Sequence, residues 1–133
     1  MKELLENKKT INQTDIIYGY TRKQAIEDGI QFELQKELTQ QIYKYPVYIT
    51  IGVYDLVQKA IKNKKYMNDY EGVIWDILNM SLHSTKISET KQIFKVIITG
   101  VGRKRYHEMI VECGPKDIDN LEPVLTIMLP NEA

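Results

Sequence analysis

NDYEGVIWDILNMSLHSTK, residues Asn68–Lys86, holds the only tryptophan of the chain and its clearest long helical pattern. Asn68 followed three residues later by Glu71 is a capping-box arrangement, and Asp69 adds negative charge at the positive helix end, so a helix should start near Asp69. At 100° per residue, Val73, Ile74, Trp75, Ile77, Leu78, Met80 and Leu82 sweep well over half the circumference. Asp76, Asn79, His83 and Lys86 share the remaining arc. The pattern predicts a helix buried on most sides, with Trp75 sealed between carboxy-terminal strands and neighbouring helices.

Downstream of Thr85 the period changes from 3.6 to 2. QIFKVIITG (92–100), RYHEMIVEC (105–113) and EPVLTIMLP (122–130) are rich in Val, Ile, Phe and Tyr. They are separated by GVGRK and GPKDIDNL, loops short enough for an antiparallel meander. Gly100 and Gly102 supply the positive φ that a tight hairpin needs. Side chains alternate across a sheet, so Phe94, Val96 and Ile98 share a face, and Ile110 is expected to join them. Helices first and a sheet last predicts an α+β fold, with several N-terminal helices packed on a C-terminal three-stranded antiparallel β-meander that a fourth strand could extend.

Upstream, residues 1–14 are polar apart from Leu4, Leu5 and Ile11 and read as a loosely held segment, leaving 15–133 as one domain. DIIYGY (15–20) reads as an edge strand broken by Gly19. Thr21 with Gln24 forms a second capping box, and Gly29 closes a two-turn helix. Its charge order is inverted: Arg22 and Lys23 sit at the positive end, Glu27 and Asp28 at the negative one. Each such placement costs about 0.3–1 kcal/mol at an exposed site. A local rule broken within a clear local signal points to a compensating tertiary contact or ligand, which makes Arg22 and Asp28 the first site candidates. IQFEL (30–34) reads as a short strand, and Leu34, Leu38 and Ile42 mark a narrow apolar stripe on a marginal helix ending near Tyr43. Pro46 extends Tyr45, and Thr50 can cap an amphipathic helix from Ile51 to about Asn63.

The chain has 133 residues, enough for a core without metal or disulfide staples. Lys plus Arg and Asp plus Glu both number 18, so no whole-molecule field draws it to nucleic acid or anionic lipid, and such binding would need a local patch. One cysteine, Cys113, allows no internal disulfide, and no apolar run suits a signal peptide or a membrane span. A cytoplasmic location is expected, without membrane contact.

Catalytic chemistry is sparse. His83 and His107 lie in no catalytic signature, and Cys113 is read as a small buried apolar residue. The spacing of Cys and His suits no zinc site, and the 117–120 loop lacks the Gly and distal Glu of a calcium loop, so no metal or cofactor is expected. GVGRKR is a hairpin and not a phosphate cradle. Its tip, Arg103, Lys104 and Arg105, together with Lys59, Lys62, Lys64 and Lys65, could form a basic surface for phosphates with Tyr66 or Tyr106 stacking on a base. Asp76, Asn79 and His83 line one helix stripe, a polar groove or partner-facing edge. Nine tyrosines against two phenylalanines suit half-wet recognition surfaces.

The segments DIIYGYTRKQAIEDG, KYPVYIT, VIWDIL, VECGPKD and EPVLTIMLP resemble a family of small uncharacterised proteins carried by bacterial phages, plasmids and conjugative elements. The resemblance spans about Asp15 to Glu132 and implies a setting, with no activity attached. The expectation drawn from it is a non-enzymatic accessory protein that binds a host or element-encoded protein, an antagonist of host defence being one form. Arg22, Asp28, Arg103, Lys104 and Arg105 are its candidate partner-binding residues. The alternatives are a small nucleic-acid-binding module using the Lys59–Lys65 and Arg103–Arg105 patches, and a small enzyme using Cys113 or His107. The identity of the partner and the oligomeric state lie beyond the sequence.

Overall fold

The computed structural model describes residues 21–133. In chain order the elements are α1 (Arg22–Glu27), β1 (Gln31–Glu33), α2 (Lys36–Thr39), β2 (Val47–Thr50), α3 (Ile51–Lys62), α4 (Tyr70–Ser81), β3 (Thr85–Lys86), β4 (Lys91–Ile97), β5 (Tyr106–Asp117) and β6 (Asn120–Met128), followed by a 3-10 turn (Pro130–Glu132). The expected edge strand at 15–20 and the polar segment 1–14 lie outside the described residues.

The expected three-stranded meander with helices before it is overturned. The strands form one six-stranded mixed sheet, ordered β1-β2-β6-β5-β4-β3, with helices in the middle of the chain. The meander β4-β5-β6 is present and antiparallel, but β6 also pairs with β2 in parallel, through Val47↔Leu125 and Ile49↔Ile127. β2 escapes a pattern reading for a physical reason. All four of its residues are buried, so VYIT lacks the alternation of a half-exposed strand and runs directly into the helix that follows. It is nonetheless central, and Val47 and Ile49 each contribute on the order of 2 kcal/mol by burial.

One face of the sheet carries Val47, Ile49, Leu125, Ile127, Val111, Met109, Phe94, Val96 and Ile98, packed against Val53, Val57 and Ala60 of α3 and Val73, Ile74, Ile77 and Leu78 of α4. Ile110 does not join Phe94, Val96 and Ile98. It pairs with Ile93 on the opposite face, and Met109, opposite Phe94, takes the expected place. α4 is buried along one face only, because the sheet and α3 cover one side of it. Trp75 is half-buried, while Met80 and Leu82 are exposed.

Local signals are displaced by tertiary partners at three places. The N-cap of α4 is Asp69, whose carboxylate accepts from the Gly72 N–H (3.2 Å), because the Asn68 side chain is already donating to the Thr99 carbonyl (2.9 Å). Thr50 occupies the N-cap position of α3, but its hydroxyl donates to Glu132 Oε1 (2.6 Å), and Glu132 Oε2 accepts from the Gly52 N–H (3.1 Å). A carboxylate from the far end of the described chain thus caps this helix. The stripe from Leu34 to Tyr43 forms only one helical turn, since the Tyr43 hydroxyl is tied to Ser81 (2.6 Å) and the chain bends to reach it. Gly29, Gly100 and Gly102 adopt positive φ, as their turns require.

Candidate interaction surface

Arg22 resolves its own charge anomaly. Its Nε–H donates to the Lys116 carbonyl (2.6 Å), Nη1 to Gln31 Oε1 and Thr126 Oγ1 (both 2.9 Å), and Nη2 to the Pro115 carbonyl (3.4 Å). The guanidinium also lies 4.5 Å above the Tyr48 ring. Asp117 accepts from the backbone N–H groups of Arg22 (3.3 Å) and Lys23 (3.1 Å), supplying the negative charge that the first turn of α1 lacks. Burial pushes the Arg22 pKa down, opposed by the nearby Tyr48, Asp117 and Glu112. The same burial pushes the Tyr48 hydroxyl up. Arg22 therefore clamps α1 to β1, β5 and β6, and its donors are committed inside the molecule. Asp28 is the exposed C-cap of α1, with its N–H on the Gln24 carbonyl (2.8 Å).

Arg103, Lys104 and Arg105 are exposed at the β4–β5 hairpin. The structure brings this hairpin beside the basic linker after α3. The Asn63 side-chain amide donates to the Gly100 carbonyl (3.3 Å), and Asn68 reaches Thr99 from the same linker. Lys62, Lys64 and Lys65 are exposed there, and among the described residues none of these six cations makes an ion pair. Tyr66, with Lys65 Nζ 5.7 Å over its ring, and Tyr106 are exposed at the same pole. Lys59 is exposed one turn earlier on α3.

The polar stripe Asp76, Asn79 and His83 borders a groove that sequence reasoning could not locate, since its other wall is a sheet edge. Two adjoining hollows of about 320 and 310 Å³ run along β4. Asp76, Asn79, Met80, Lys95, Ile97 and Tyr106 line the first, and Met80, His83, Thr85, Ile93, Lys95 and Glu108 are among those lining the second. β3 pairs only with Gln92 and Ile93 on this edge. Beyond them no described strand lies beside β4. The Ile98 N–H donates inward to the Arg105 carbonyl (2.9 Å), so the alternation of an antiparallel ladder aims the N–H and C=O groups of Lys95 and Ile97 outward, into the groove. Ile97 is 51% and Tyr106 58% exposed. Asp76 is exposed too, yet partial withdrawal from water raises its carboxyl pKa.

Catalytic candidates do not converge. Cys113 is exposed, not buried as expected, although its register partner Leu125 belongs to the buried cluster. His107 lies six residues away on the same strand, about 20 Å by strand geometry, with Nε2 buried and lacking a hydrogen-bond partner. Among the described residues there is no group of three His, Cys, Asp or Glu that could hold a metal ion, and no helix long and apolar enough to cross a membrane.

A family of unknown function, DUF6573, matches residues 7–133. The chain belongs to that family. No curated protein and no solved structure matches it. Membership in DUF6573 brings no assigned activity, so the groove and the basic pole stand on their own chemistry.

Proposed function

We propose that this DUF6573 member is a non-enzymatic, cytoplasmic accessory protein of a mobile genetic element that binds a host or element-encoded protein, taking an extended segment of it as an added strand along β4. The carrying observation is the outward N–H and C=O groups of Lys95 and Ile97, which lie in a groove walled by α4 and unmatched by any described strand. Strand addition satisfies such groups with main-chain hydrogen bonds, and side-chain pockets beside them supply selectivity. β1, at the opposite edge, is three residues long and offers less to pair with. The mobile-element setting comes from the resemblance of the quoted segments, and the cytoplasmic one from a single unpaired cysteine. Antagonism of a host defence is one form that such binding takes.

The test has two parts. In the free protein, amide hydrogen exchange should be faster at Lys95 and Ile97 than at Val96 and Ile98, and it should slow at the first pair when a partner is bound. Ile97→Pro removes an outward donor without touching the β4–β5 ladder, so it should abolish partner retention while leaving the fold intact. Retention that is indifferent to this substitution would sink the reading.

The adjacency of the two basic loops favours a second reading, a nucleic-acid-binding module. Its signature is salt dependence, with log affinity falling with a slope near −0.9 per phosphate neutralised on duplex DNA.

A further inference from the structure

We infer that the segment which adds to β4 is acidic, and that its charged end lies over the pole formed by the linker after α3 and the β4–β5 hairpin. This rests on the strand-addition reading and deepens it by naming the partner's chemistry. Tyr106, which lines the groove, directly follows Arg105, so the groove opens at the hairpin onto Arg103, Lys104 and Arg105. Lys62, Lys64 and Lys65 flank the same opening, held there by the Asn63 and Asn68 hydrogen bonds to the hairpin. A strand leaving the groove at this end passes six exposed cations that make no ion pair within the described molecule.

Lys95 sharpens the choice of occupant. A lysine on an open edge is a common guard against indiscriminate pairing, because an apolar or basic strand gains nothing from an ammonium group beside it. A second copy of this chain is a poorer occupant on the same ground, since a twofold β4–β4 pairing that uses the outward groups of Lys95 and Ile97 is centred on Val96, sets each Lys95 opposite Ile97 and gives neither ammonium group a counter-charge. A strand carrying Asp or Glu converts the guard into a cross-strand partner. Glu108 stands opposite Lys95 on β5 and Asp76 lines the same hollow as Lys95, so beyond that one pairing the acidic residues of the segment should be concentrated past them, at the hairpin end.

The probe is a displayed library of random dodecapeptides, selected on the full chain and counter-selected on Ile97→Pro. Expected are edge-dependent peptides with β-branched residues alternating along the strand and Asp or Glu clustered at one terminus. Replacing Arg103, Lys104 and Arg105 together by Glu should weaken them at least tenfold, and circular dichroism of both variants should match the parent. Edge-dependent peptides with no acidic enrichment would overturn this inference and leave strand addition standing. Failure to recover any edge-dependent peptide would overturn both. A single-stranded oligonucleotide that binds parent and Ile97→Pro equally, displaces the selected peptides and loses affinity steeply with salt would assign the pole to nucleic acid and overturn the inference.

Discussion

Arg22 and the Arg103–Arg105 tip are both basic and both sit at turns, yet they do opposite things. Arg22 breaks the local charge rule at a helix start and spends its guanidinium on four acceptors and a tyrosine face. The hairpin residues break no rule and make no ion pair among the described residues. The difference teaches that an ill-placed charge in an otherwise well-formed helix marks an internal tie, whereas an unremarkable exposed charge remains available to a partner. Arg22 is thus withdrawn as a partner-binding residue, and reversing its charge would test folding rather than recognition.

The sharpest way to break this contrast is Arg22→Ala, which should destabilise the protein by about 2 kcal/mol in chemical denaturation. Several charge-assisted bonds are lost, and the figure is held down by the group's partial contact with water. Asp117→Ala removes the acceptor for two first-turn N–H groups and should cost about 1 kcal/mol, read in the same experiment. Asp76→Asn should act in the other direction. An acid whose folded pKa is raised favours folding while protonated and loses that advantage as pH rises through the raised value. The amide should therefore raise the thermal midpoint slightly at neutral pH, and the gain should vanish near pH 3, where the parent carboxyl is largely protonated in both states. Smallest of all, Ala at Arg103, Lys104 and Arg105 should leave stability within about 0.5 kcal/mol. A larger loss would show that the tip is structural after all and erase the distinction.

How much of this was legible follows from the range of each interaction. Thr21, Gln24 and Gly29 bounded α1 correctly because capping box and left-handed stop are closed within nine residues. The three long strands after Thr85 were located by their Val, Ile, Phe and Tyr content, but their ends were not: β5 and β6 extend into the stretch read as a loop, which shrinks to Ile118 and Asp119 because the two strands pair almost to their tips. Where a distant residue takes over a local role, the sequence misleads: Glu132 caps α3 in place of the Thr50 side chain, and Asp69 caps α4 because Thr99 holds Asn68. The Asp76, Asn79 and His83 stripe was visible as a polar arc, but the groove beside it was not. An unpaired strand edge is defined by what fails to lie next to it in space. Nor could spacing reveal that Asn63 joins two basic stretches some forty residues apart into one pole.

The parallel pairing of β2 with β6 also bears on how the chain reaches its native state. Val47 cannot meet Leu125 until most of the intervening chain has been gathered in, and closing so long a loop carries an entropic cost that local hairpins avoid. Refolding should therefore be slow for a domain of this size, in the millisecond-to-second range of topologies rich in non-local contacts. The β5–β6 hairpin, in which only Ile118 and Asp119 separate the strands, is the natural early structure, and the junction at Val47 the late one.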